Sequence, residues 1–187
     1  EGRIVGLYAG KLGGIYLDQE VFDLFRAARD HWGENFRVLL LTPHPVSELE
    51  PMMARAGLDR SIFTVRSVPH EEVPGLMGLA DFAVTPVKPV PSKRYCTPVK
   101  DGEYWALGLP VIITRDISDD SGIIREHGIG SVLESLDRPG YEKAVKEVAA
   151  LLDGASRKEL YQRIRQIALR YRSSDRAERI YQEIYGE

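Results

Sequence analysis

The sequence predicts an α/β domain built on a doubly wound, Rossmann-like parallel sheet of about six strands, followed by C-terminal helices. Two observations lead there. Short apolar runs rich in β-branched residues alternate with segments of helical period. The runs are apolar on both faces, as expected of parallel strands covered by helices on each side.

The strands are read at Ile4–Ala9, Phe36–Thr42, Ser61–Val65, Phe82–Pro86, Val111–Thr114 and Ser131–Glu134. A helix from about Asp18 places Val21, Leu24, Phe25 and Ala28 on one stripe. Ser47-x-x-Glu50 reads as a capping box opening a second helix that Gly57 closes. A third helix is expected over Glu71–Ala80 and a fourth over Lys100–Leu107, ending at Gly108. Asp120 or Ser121 should cap a short fifth that stops at Gly128. Beyond Leu136 the pattern is helical, in a segment of about 139–187: Pro139 suits a first helical position, Tyr141, Val145, Val148 and Leu152 form a stripe, and Ser156-x-x-Glu159 is another capping box. Residues 157–179 carry eight bases and three acids. That is the pattern of a solvated helix face, with a lipid or acceptor surface as the alternative.

The chain of 187 residues suits one well-buried domain. Its abrupt entry into a strand at Arg3–Tyr8 reads as a piece cut at a domain boundary. One cysteine, Cys96, excludes a disulfide framework and suits a reducing cytoplasm. A net charge of −3 gives no general attraction to nucleic acid. Locally the balance inverts: from Lys88 to Lys100 there are four bases and no acid, an anion-binding composition.

Ligands of doubly wound sheets bind beyond the carboxyl ends of the strands. After the first strand comes Ala9-Gly10-Lys11-Leu12-Gly13-Gly14, a turn whose glycines allow close approach to a phosphate at a helix N-terminus. Its spacing is neither Walker A nor G-x-G-x-x-G, and a plain tight turn with an exposed lysine fits it equally. After the fourth strand a Pro-rich basic loop enters a helix bearing Lys100 and Glu103, three residues apart and so on one face. That pair suits a diphosphate and a sugar diol; the alternative is a surface ion pair.

The block Thr97-Pro98-Val99-Lys100-Asp101-Gly102-Glu103-Tyr104-Trp105-Ala106-Leu107-Gly108-Leu109-Pro110-Val111-Ile112 resembles the donor-domain signature of retaining glycosyltransferases of GT-B architecture, group 1 or family 4-like. Tyr8-Ala9-Gly10-Lys11-Leu12 is similar to that family's G-R/K-L loop, and Val68-Pro69-His70-Glu71-Glu72-Val73-Pro74 with Leu79-Ala80-Asp81 to its V-P-H-x-x-V-P stretch. The resemblance covers about Ile4 to Leu133. It implies that Lys11 and Lys100 contact the diphosphate, Glu103 holds the ribose, and Thr97 and Pro98 lie on the loop facing sugar and phosphates. Val68 and His70 fall where the base is contacted, and Gly10, Gly13, Gly14, Tyr95, Cys96 and Tyr104 complete the donor-binding set. Two positions depart from the pattern. Tyr95 stands where a second glutamate is usual, and Gly13 to Tyr16 lack the second basic residue.

The implied partners are a nucleotide-sugar donor, a glycan or lipid-linked acceptor, and an N-terminal acceptor domain of the same full-length protein. No nucleic acid is expected. The site would be cytoplasmic or peripheral at the inner face of the membrane. No two aspartates sit at i, i+2, so donor binding without a metal is expected, the lysines and helix N-termini holding the diphosphate. Without its acceptor half the chain should bind nucleotide with little turnover. A nucleotide-sugar 2-epimerase and a noncatalytic nucleotide- or phosphosugar-binding module remain open as alternatives. Trp32 and Trp105 read as packing groups, and His31, His44 and His127 as exposed or capping. Cys96 reads as a small side chain beside the ligand, and Asp119-Asp120 as a helix cap.

Overall fold

The computed structural model describes residues 2–186. Six strands form one sheet: β1 (Ile4–Ala9), β2 (Phe36–Leu41), β3 (Phe63–Arg66), β4 (Phe82–Thr85), β5 (Val111–Thr114) and β6 (Gly130–Leu133). Every pairing is parallel, in the order β3-β2-β1-β4-β5-β6. The chain winds outward in one direction from β1, then returns to β4 on its other side. The switch point is therefore the crevice between the carboxyl ends of β1 and β4.

The helices are α1 (Gln19–Trp32), α2 (Val46–Arg55), α3 (Val73–Met77), α4 (Val99–Ala106), α5 (Asp120–His127), α6 (Arg138–Gly154), α7 (Arg157–Arg172) and α8 (Ser174–Tyr185). Two apolar layers cover the sheet. On one face Phe22 and Phe25 of α1 and Tyr141, Val145 and Val148 of α6 pack against Phe36, Leu40 and Phe82. On the other, Trp105 of α4 and Leu160 and Ile164 of α7 pack against Leu7, Val111 and Ile113. Each of the fully buried Phe and Leu side chains contributes roughly 1.5–3 kcal/mol. β1 fits between the aromatic rings only because it carries Gly6: a Cβ there would sit 2.8 Å from the Phe82 ring.

The predicted strands and helices are present, with informative shifts. Arg60–Ile62 form a 3-10 turn, so β3 starts later than Ser61. The Ser47–Glu50 capping box does not form: Pro45 occupies the cap with no side-chain bond, and Ser47 lies inside α2. The third helix shrinks to five residues, preceded by a 3-10 turn over His70–Glu72. Pro74 lies in its first turn, Gly75 weakens it further, and Gly78 is its C-cap. At the C-terminal segment Asp137 caps α6 through Gly140 N (2.9 Å), Pro139 takes the second helical position, and Ser156–Glu159 completes its capping box.

The basic face of α7 is not simply solvated. Arg157 donates to Ala80 O (2.7 Å), Arg163 to Gly128 O (3.3 Å) and Arg165 to Ala106 O (2.8 Å). These carbonyls follow α3, end α4 and follow α5, so α7 supplies the donors that helix ends lack. Among the described residues no helix is long and apolar enough to cross a membrane.

Candidate functional site

Helix α4 ends the Pro-rich loop because Pro98, extended at φ −70° and ψ 113°, cannot continue a helix backward but leads into one. No side-chain hydrogen bond caps its first turn, which carries Lys100. Across the switch point the β1 turn meets it at Gly10. A Cβ built on Gly10 would lie 3.1 Å from Lys100 Nζ and 3.1 Å from the Tyr8 hydroxyl, so the glycine lets the lysine lie close over this backbone.

The turn is laced down on several sides. Tyr8, in β1, donates its hydroxyl to Lys11 O. Burial, and then Tyr16, pushes the Tyr8 phenol up, so it stays a donor. His44, after β2, accepts from Leu12 N at Nε2 (3.1 Å), and its Nδ1 meets Glu48 at 2.8 Å. Those two bonds together require the proton on Nδ1. Leu17 N donates to Pro86 O (2.8 Å) and Lys88 N to Ile15 O (2.9 Å), joining the turn to the segment after β4. Gly13 and Gly14, at φ 74° and 63°, make the reversal between these anchors. Ala9 N, at the end of β1, donates to the Tyr104 hydroxyl of α4 (3.2 Å).

The resulting cleft, about 400 Å³, is lined by Gly10, Lys100 and Glu103 together with Val68 and His70 after β3. A smaller cavity of about 190 Å³ shares Lys100 and adds Tyr8, Tyr16, Cys96, Thr97 and Pro98. Residues far apart in sequence thus meet at one place. Others do not. Lys11 is exposed beside the cleft without lining it, and Tyr95, 84% exposed, lines neither cavity. Gly13 and Gly14 shape the turn rather than the walls. Tyr104 is completely buried, so it fixes β1 to α4 from behind instead of touching a ligand. Tyr16, beyond Gly14 in the same turn, has its ring centroid 5.8 Å from Lys100 Nζ.

Beneath the site lies a polar core that the sequence did not announce. Asp101, the residue after Lys100, is wholly buried, accepts from Thr85 Oγ1, and faces the equally buried Asp120. Burial, then the charge of Asp120, pushes the Asp101 carboxyl well above the usual carboxylate range; burial pushes Asp120 up to about 6 despite Arg172. Each has one oxygen with no other partner, which a proton held between the two carboxyls satisfies. The expected cap at Asp119-Asp120 is therefore corrected: neither side chain caps α5, because Arg172 engages both. His127 is likewise half-buried and bonded to the Tyr171 hydroxyl (3.0 Å) rather than exposed. Trp105 is a packing group, fully buried, as expected. Among the described residues no three His, Cys, Asp or Glu side chains cluster as metal ligands.

Solved structures share this topology. WaaG, a glycosyltransferase involved in lipopolysaccharide biosynthesis, matches all of this chain with 48% of its own at a TM-score of 0.70 and 17% identity. The C-terminal domain of the glycosyl transferase group 1 family protein LpcC from Francisella tularensis matches 92% of this chain with 87% of its own, at 0.67 and 16%. The fold is that of a GT-B glycosyltransferase domain. HepE from Anabaena, solved in complex with UDP, matches 89% of the chain with 44% of its own, at 0.66 and 16%. The chain spans about half the length of WaaG and HepE, and nearly all of the LpcC domain. No family model and no curated protein matches the sequence. The GT-B likeness is one of fold, at identities too low to carry residue roles.

Proposed function

We propose that this domain binds the nucleotide-diphosphate-sugar donor of a glycosyltransferase whose acceptor pocket lies on a preceding domain. The observation that carries the reading is the meeting of Gly10 and Lys100 across the switch point, in one cleft with Glu103, Val68 and His70. Its size suits a nucleotide-sized ligand. Lys100 and the N–H groups of the first turn of α4 hold the diphosphate, Glu103 accepts from the ribose hydroxyls, and the Val68–His70 wall receives the base. Lys11 reaches the phosphates from the rim.

In transfer, the bond between the anomeric carbon and the β-phosphate oxygen breaks, and negative charge accumulates on the departing nucleoside diphosphate. A fixed ammonium and unpaired N–H groups at that oxygen are worth more to the transition state than to the ground state. Binding without a divalent metal follows from that assignment, as does retention of anomeric configuration from the sequence resemblance. The glycan or lipid-linked acceptor would come from the partner domain, in the cytoplasm or at the inner face of a membrane. UDP in HepE and lipopolysaccharide assembly by WaaG support this direction.

The test is a thermal-shift panel of uridine, guanosine and adenosine diphosphates, with and without magnesium. A ligand at 100 times its dissociation constant stabilises by about 2.7 kcal/mol. One diphosphate should shift the melting temperature equally with and without magnesium, and Lys11→Ala combined with Lys100→Ala should abolish the shift. Full affinity in that double variant overturns the assignment. With the full-length protein, a 2-epimerised nucleotide-sugar, or tight binding without turnover, would replace transfer by an epimerase or a binding module.

A further inference from the structure

Arg172, at the last turn of α7, lines neither cavity, yet two chains of contacts run from its guanidinium to both sides of Lys100. The first passes through Asp120, which it ion-pairs, to the facing carboxyl of Asp101 and on to Thr85 at the end of β4. Asp101 is the residue next to Lys100 in the first turn of α4. The second passes through Asp119 Oδ1 (2.7 Å) to Ser118 Oγ (3.0 Å) and then to Thr97 Oγ1 (2.9 Å), in the loop that precedes α4. Ser118 N also donates to Lys93 O (3.1 Å), stitching the basic loop to the same strap.

Three features show that this geometry is held tightly. The guanidinium lies over the Trp105 ring, 5.7 Å from its centroid, and its side chain is only 18% exposed. A Cβ on Gly102 would come within 3.3 Å of Arg172 Cβ, so α4 and α7 meet there without intervening side chain. Asp116 and Ser118 occupy left-handed backbone at φ 57° and 47°, a conformation that non-glycine residues keep only where surroundings enforce it. Buried ion pairs are weak sources of net stability, since desolvation offsets their attraction. What such a network supplies here is placement.

We propose that Arg172 is the positioning residue of the donor site, setting the first turn of α4 and the Thr97 loop at once through its Asp120–Asp101 and Asp119–Ser118 arms. This rests on the donor-site reading above.

The test uses the 187-residue chain with Arg172→Lys, Arg172→Met and the charge-neutral pair Asp120→Asn with Arg172→Met. For each, the affinities for uridine, guanosine and adenosine diphosphates and for the corresponding nucleosides are measured by calorimetry, alongside the melting temperature. In Arg172→Met and in the charge-neutral pair, diphosphate affinity should fall on the order of tenfold, the scale of coupling through such networks. Nucleoside affinity should stay, so the diphosphate-to-nucleoside ratio falls. Arg172→Lys should recover part of that ratio by keeping one arm. A purely structural arginine would lower the melting temperature and leave the ratio unchanged in the folded variants, which overturns the proposal. If the charge-neutral pair melts like the unmodified chain and keeps its ratio, the proposal is equally overturned. If the unmodified chain binds no nucleoside diphosphate, the donor-site reading fails first and this one with it; an unchanged ratio above a binding wild type sinks this one alone.

Discussion

The two walls of the crevice are built by opposite means. The β1 turn is a surface loop, rich in glycine and pinned from outside by single bonds: Tyr8 to Lys11 O, His44 to Leu12 N. The α4 wall stands on buried charge, with Asp101, Asp120 and Arg172 locked under Lys100 and Glu103. One wall is exposed and held by individual hydrogen bonds, whereas the other is set from the far side of the domain. A diphosphate held between them would meet one exposed grip and one backed by the buried network, and the backed side should carry most of the affinity.

That contrast can be broken directly. Lys100→Ala should cause the largest loss, because a charge-assisted contact to phosphate is worth roughly 1.5–3 kcal/mol; calorimetry with the best nucleoside diphosphate should show its dissociation constant rising by one to two orders of magnitude. A loss no larger than that of Lys11→Ala would refute the asymmetry. Glu103→Ala should come next, costing about 1 kcal/mol and erasing discrimination between ribo- and 2′-deoxyribonucleotides in competition binding. Discrimination that persists in this variant assigns the ribose contact elsewhere. Lys11→Ala should weaken binding only a few fold, with a loss that fades as salt is raised, as an exposed charge requires.

The smallest effect sharpens the buried side. Burial raises Asp120 to about 6 and Asp101 well above the ordinary aspartate value, so the protons they bind stabilise the fold at low pH; the Asp120 contribution is lost as pH rises through about 6, and that of Asp101 at higher pH. Asp101→Asn supplies the neutral form permanently. Its melting temperature should exceed that of the unmodified chain at pH 8, with the gap closing toward pH 4. A gap independent of pH would mean that the pair shares no proton.

Much of this was legible in the sequence, for identifiable reasons. Strands such as Val111–Thr114 are short, apolar and β-branched, and nothing else competes for such runs. Lys100 and Glu103 share a face because helical spacing alone puts them there. The Ser156 box reads correctly because its cap position is unobstructed, while the Ser47 box fails because Pro45, two residues earlier, already starts α2. The rest depends on tertiary contact. Asp101 resembles any polar residue in a first helical turn until Asp120 and Arg172 arrive from α5 and α7. His44 is one of several surface-looking histidines until folding brings Leu12 N to it. Tyr104 sits inside the motif, and only its complete burial shows that it serves from behind. The i, i+3 pattern of a helix marks which side chains share a face, not whether that face meets water or a neighbouring helix.

The bond from Ala9 N to the Tyr104 hydroxyl has a mechanical meaning. It crosses the seam where the sheet changes winding direction, which is otherwise the natural line along which a doubly wound domain could spread apart. That bond ties the strand end beneath Gly10 to the helix that carries Lys100, so both sides of the proposed phosphate seat are joined before a donor arrives, and less of its binding energy goes into bringing them together.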